Sequence, residues 1–70
     1  MKLIIKKSGR LFQKYHIWME FSNFVRTQLR KRYFNLQDAQ DTCETLTEEM
    51  GTAQITYDKS VPAAEIDRLK

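Results

Sequence analysis

One segment of the chain has a helical pattern, and its single apolar stripe limits what the remaining residues can build. Residues 36–50 (LQDAQDTCETLTEEM) place apolar side chains on one side of a helix and carboxylates on the other. Asn35 is a good N-cap, and Gly51 suits the position after the last turn. The stripe consists of Leu36, Ala39, Cys43, Leu46 and Met50. A stripe of this width covers one face of one small sheet.

The other patterned segments have the two-residue period and the aromatic and β-branched residues that are typical of strands. They are residues 2–7, 11–21, 25–34 and 52–57. The order β-β-β-α-β predicts a small α+β fold: a two-layer sandwich with an antiparallel sheet of three or four strands and one helix packed on one face. Residues 16–34 also allow a helical interpretation, because apolar residues recur there at every fourth position. Their aromatic and β-branched content favours strands.

The second and third strands sort their side chains into two faces only if the loop between them has an odd number of residues. Ser22-Asn23 marks the turn, and we therefore expect a loop of three or five residues there. The apolar face of the sheet would hold Leu3, Ile5, Tyr15, Ile17, Met19, Phe21, Val25, Leu29 and Ile55. The other face would pair Glu20 with Arg26, Trp18 with Gln28, His16 with Arg30, Lys14 with Arg32 and Phe12 with Phe34.

That second face mixes cations with aromatic rings, and it carries the functional interpretation. Cations neutralise phosphate and rings offer stacking surfaces, so the mixture suits single-stranded nucleic acid or RNA. A basic β-ribbon can also enter the major groove of duplex DNA. The candidate nucleic-acid-binding residues are Phe12, Lys14, His16, Trp18, Arg26, Arg30 and Arg32. Two alternatives stay open: a solvated face with Trp18 and Phe12 packed under the C-terminal tail, and a protein interface, where Trp and Arg are favoured.

Charge is distributed unevenly along the chain. Residues 1–36 contain nine Lys and Arg against one acid, whereas residues 37–70 contain three against eight, so the halves carry +8 and −5. This asymmetry predicts a face for a polyanion or for an acidic protein.

Length and composition set the domain organisation. Seventy residues suffice for one domain, and we place it at residues 1–59 with a tail at 60–70 that contains one short helical turn after Pro62. The single cysteine, Cys43, forms no intrachain disulfide, which favours a reducing cytoplasm. The first ten residues have only three consecutive apolar ones, too few for a signal peptide or a membrane span, so we expect a cytoplasmic protein with no membrane partner.

Catalytic and metal-binding patterns are not found. His16 is the only histidine and has no nucleophile predicted near it, and one histidine with one cysteine gives too few soft ligands for zinc. The sequence has no glycine-rich phosphate loop, and the acidic helix face does not follow a calcium-loop pattern. We therefore expect a binding protein without cofactor, metal or enzymatic activity.

The segment RKRYF, followed by NLQDA and a helix, resembles the DNA-binding modules at the N-termini of phage-type integrases and the AP2-like domains, in which three strands precede a helix. Phe34 and Ala39 carry this resemblance, which covers about residues 10–50 and implies DNA binding. The predicted fourth strand departs from those modules, and we assign no family on these residues.

Small charged single-domain chains are also typical of phage and mobile-element accessory proteins, some of which inhibit host machinery. The alternative function is accordingly an adaptor or inhibitor that binds a host protein complex, with a homodimer formed through Trp18, Phe12 or the fourth strand.

Overall fold

The computed structural model describes residues 1–9, 11–21, 25–51 and 54–69. They form the predicted β-β-β-α-β order and add a short second helix, and residues 16–34 contribute strands rather than a helix. The elements are β1 (Lys2–Lys7), β2 (Tyr15–Glu20), β3 (Arg26–Tyr33), α1 (Leu36–Met50), β4 (Gln54–Tyr57) and α2 (Ala63–Asp67).

The four strands form one mixed sheet in the order β3-β2-β1-β4. The first three strands are antiparallel, as predicted, but β4 is parallel to β1. The prediction of a wholly antiparallel sheet is therefore wrong for β4. Because α1 carries the chain back across the sheet, β4 runs in the same direction as β3, and β3 is itself parallel to β1.

The predicted register of β2 and β3 is confirmed beside the loop and wrong at the other end. Trp18 lies opposite Gln28 and Glu20 opposite Arg26, but His16 lies opposite Arg32 instead of Arg30. Phe21 N–H donates to the Val25 carbonyl at 2.9 Å. The predicted loop of three or five residues lies outside the described residues.

Core packing explains this register shift. The unshifted register places Lys31 beside Tyr15, whereas the shifted one pairs Tyr15 with Tyr33 and buries both rings. Lys31 remains exposed, and its ammonium lies 5.5 Å from the centroid of the Tyr33 ring. The irregularity falls between His16 and Trp18. One residue of β2 separates these two, whereas three residues of β3 separate their partners Arg32 and Gln28.

The core lies between α1 and one face of the sheet. Its fully buried side chains come from both layers: Leu3, Ile5 and Ile17 from the sheet, and Ala39 and Cys43 from the helix. Met19, Leu29, Leu46 and Ile55 pack against this cluster and are partly buried.

Three residues predicted for the core are exposed instead: Phe21, Val25 and Met50. They lie at the tip of the β2–β3 hairpin and at the last residue of α1, beyond the part of the sheet that the helix covers.

Both predicted ends of α1 are confirmed. The Asn35 side-chain carbonyl accepts a hydrogen bond from Asp38 N–H at 2.8 Å, as an N-cap does. Gly51 has φ 88°, a left-handed conformation that glycine adopts without a steric cost.

The C-terminal segment packs against the core. Val61 is buried, and Ile66 and Leu69 lie against the same cluster. The predicted helical turn is present as α2. Glu65 of α2 accepts a hydrogen bond from Lys7 Nζ at 2.6 Å and another from the Tyr15 hydroxyl, so this segment is attached to both β1 and β2.

Burial of Cys43 gives a prediction about its reactivity. Desolvation raises the pKa of the Cys43 thiol to about 12, so almost no thiolate is present at pH 8. We expect a chromogenic disulfide reagent at pH 8 to react with the native protein far more slowly than with the protein unfolded in urea. Equal rates in the two states would contradict the burial of this side chain.

The Lys7–Glu65–Tyr15 cluster gives a pH dependence of stability. The hydrogen bond from Lys7, and then that from Tyr15, hold the pKa of Glu65 below 4.5, while the bond to Glu65 raises the pKa of Lys7 above 10.5. A lowered carboxyl pKa stabilises the fold above pH 4.5 and loses that effect as pH falls through the folded value. The raised pKa of Lys7 means that its contribution to stability is fully present below pH 10.5 and is lost as pH rises through the higher folded value.

We expect Glu65→Gln to have a lower urea midpoint than wild type at pH 7, and this difference to shrink as the pH is lowered from 5 towards 3. Glu48→Gln, which changes an exposed acid on α1, is the matched control and should follow wild type. A difference between wild type and Glu65→Gln that does not change with pH would contradict a charged pair at this position.

Candidate functional site

Both helices pack on the same side of the sheet, and the opposite side is here called the open face. Strand pairing aligns its residues in three rows. The rows are Gln54, Lys2, Glu20 and Arg26; Thr56, Ile4, Trp18 and Gln28; and Lys6, His16 and Arg32. Among the described residues of these rows, four are Lys or Arg and one is an acid.

The third row concentrates positive charge. His16 lies between Lys6 of β1 and Arg32 of β3. The distance between His16 Nδ1 and Arg32 Nη1 is 3.5 Å. All three side chains are half-buried, so contacts with neighbouring residues of the sheet restrict their motion.

Trp18 occupies the centre of the open face. It is half-buried, and Lys6 Nζ lies 5.2 Å from the centroid of its indole ring. The indole N–H is buried and has no acceptor among the described residues. Trp18 therefore contributes its ring, and not its N–H, to the surface. A cation over an indole at an exposed site is worth about 0.5–1 kcal/mol, so a stronger anionic partner can draw Lys6 away.

Two acids reduce the positive charge of this face. Glu20 forms an ion pair with Arg26 at 3.0 Å, and with an exposed arginine such a pair contributes at most about 1 kcal/mol. Asp58 follows β4, where hydrogen bonds from Ser60, and then the charges of Lys6 and Lys59, hold the pKa of its carboxyl below the ordinary value. Asp58 is thus an anion close to Lys6 at neutral pH.

Four of the seven predicted binding residues lie on the open face: His16, Trp18, Arg26 and Arg32. Arg30 is exposed within the shifted part of β3, and its predicted pairing with His16 is replaced by that of Arg32.

Phe12 and Lys14 lie elsewhere, and the predicted pairs that contain them are not formed. Strand β2 begins at Tyr15 rather than at residue 11, because Gln13 has φ 52°, which is incompatible with an extended strand. Phe12 is exposed in the preceding loop, and Lys14 faces a cavity next to Glu65.

Three residues of β1 that the sequence did not identify also belong to this face: Lys2, Ile4 and Lys6. The alternation in KLIIKK was sufficient to separate them from Leu3 and Ile5, which point into the core. Their role required the knowledge that β1 lies beside β2, and the sequence does not show strand order.

The five acids of α1 lie on the other side of the molecule. The acids of α1 are all exposed, and α1 packs on the covered face of the sheet. They are Asp38, Asp41, Glu44, Glu48 and Glu49. In the described part of the chain, no three residues of the types that bind metals are grouped as a metal site would require. The outer surface of α1 is therefore negatively charged, whereas the open face has an excess of cations.

No helix in the described ranges is long and apolar enough to cross a bilayer. Comparisons of the chain with protein-family models, with curated proteins and with solved structures found no match.

Proposed function

We propose that this protein binds single-stranded nucleic acid through the open face and carries out no catalysis. One observation carries the proposal: four cations of β1 and β3 lie on the open face, while the exposed acids of α1 lie on the covered side. The four cations are Lys2, Lys6, Arg26 and Arg32. A polyanion approaching this molecule is attracted to the open face and repelled by the outer surface of α1.

The geometry suits phosphate contacts first and ring contacts second. Lys2 and Lys6 are four residues apart on β1, which separates them by roughly 13 Å along the strand. Arg32 is two strands away from Lys6, roughly 10 Å across the sheet. These spacings allow an extended polyanion to contact several cations at once. Such a contact competes with Trp18 for Lys6 and makes the ring available to a base.

Charge reversal on the open face tests the proposal. We expect Lys6→Glu with Arg32→Glu to weaken binding of a fluorescent single-stranded oligonucleotide without terminal phosphate by more than about tenfold at low salt. The plot of log K against log salt should become less steep by about 1.4, since each lost phosphate contact with a single strand accounts for about 0.7 of the slope. Fluorescence anisotropy measures both quantities, and a duplex of the same length tests the preference for single strands.

Lys31→Glu with Lys59→Glu is the matched control. It changes the net charge by the same amount, from +3 to −1, at exposed positions outside the rows of the open face. Equal losses in the two double variants would mean that net charge, and not this face, determines binding. Urea midpoints close to that of wild type show that both variants are folded.

A protein partner is the second candidate, and exposed apolar side chains favour it. Leu11, Phe12 and Phe34 are 84%, 73% and 63% exposed. Large apolar groups on a surface are typical of contacts with proteins. For this function we expect sedimentation to show a dimer that is insensitive to salt and is lost in Phe12→Ser with Phe34→Ser. A monomer at all concentrations would exclude the homodimer.

A further inference from the structure

The end of the sheet where α1 begins holds a cavity of about 300 Å³ that the open face does not include. It lies between α2, the start of α1 and the loop before β2. The residues that matter for its chemistry are Lys7, Lys14, Tyr15, Phe34, Glu65 and Arg68. Its volume is at the lower limit of ligand sites, which restricts it to a small molecule or to one end of a larger one.

The cavity has an excess of positive charge. Lys7, Lys14 and Arg68 line it together with a single acid, Glu65, so two cations are unbalanced. Glu65 is already held by Lys7 and by the Tyr15 hydroxyl. Within the described ranges, Lys14 and Arg68 make no ion pair and no side-chain hydrogen bond, and both remain available to an anion.

The start of α1 adds to this preference. Asn35 and Leu36 form part of the wall, at the helix end where the backbone dipole is positive. Two unbalanced cations beside this helix end match the dianion of a phosphate monoester better than the single charge of a carboxylate.

The apolar part of the lining indicates what the phosphate is attached to. Phe34 borders the cavity and is 63% exposed, so one face of its ring can stack on a flat ring in the ligand. Leu36 and Leu69 complete this apolar side. We propose that the cavity binds a phosphate monoester carried on a flat ring, which is the chemistry of a mononucleotide. The ligand is a free mononucleotide or the 5′-terminal nucleotide of a strand.

Isothermal titration calorimetry with adenosine 5′-monophosphate, and with adenosine as the probe without phosphate, tests this site. We expect the monophosphate to bind and adenosine to bind much more weakly. Arg68→Gln and Lys14→Gln should each weaken binding of the monophosphate by about tenfold, because each removes one charge-assisted hydrogen bond. Lys59→Gln removes an exposed lysine that does not line the cavity and should bind like wild type.

No binding of the monophosphate at millimolar concentration would overturn the proposal, as would equal affinity for adenosine or binding unaffected by Arg68→Gln. An oligonucleotide with a 5′-phosphate, compared with the same oligonucleotide ending in a hydroxyl, distinguishes the two sources. A preference for the 5′-phosphate that Arg68→Gln removes identifies a strand end, and its absence, with the monophosphate still bound, identifies the free nucleotide. Neither result depends on Lys6 and Arg32, so this site and the open face succeed or fail separately.

Discussion

The packing of α1 on one face of the sheet determines the rest of the structure. Leu3, Ile5 and Ile17 lose all contact with solvent against this helix, together with Ala39 and Cys43 on the helix side. Burying a leucine or isoleucine side chain is worth roughly 1.5–3 kcal/mol, which is large for a domain that buries little surface. The chain has no second long helix among its described residues, so the other face of the sheet remains in solvent. Its cations are therefore presented on the outer surface of the sheet.

Elements whose pattern is local were predictable from the sequence. Strand β1 and helix α1 have the predicted bounds, because alternation, the Asn35 cap and Gly51 act within a few residues. The predictions that failed concern features that depend on residues far apart in the sequence. The parallel pairing of β4 follows from the path of α1, and the shift in β3 follows from the burial of Tyr33 beside Tyr15. A strand pattern read alone contains neither fact.

The candidate site shows the same division. Alternation placed His16, Trp18 and Arg32 on one face, and the structure brings these three together. It failed for Phe12 and Lys14, because Gln13 between them has a left-handed conformation and β2 begins only at Tyr15. The sequence gives no sign of that conformation. The lysines of β1 join the site only through strand order. The cavity beside Glu65 depends on the docking of α2, a segment with a weak apolar pattern of its own.

The most direct test of the open face uses Trp18, the only tryptophan of the chain, which lies at the centre of that face. Its fluorescence is followed while a single-stranded oligonucleotide is added at low and then at moderate salt. We expect a saturable change in emission that weakens steeply as salt is raised, since phosphate contacts displace counterions and draw Lys6 from the ring. A complex detected by anisotropy that leaves Trp18 emission unchanged would mean that nucleic acid binds elsewhere. The absence of any complex at low salt would contradict the proposed function.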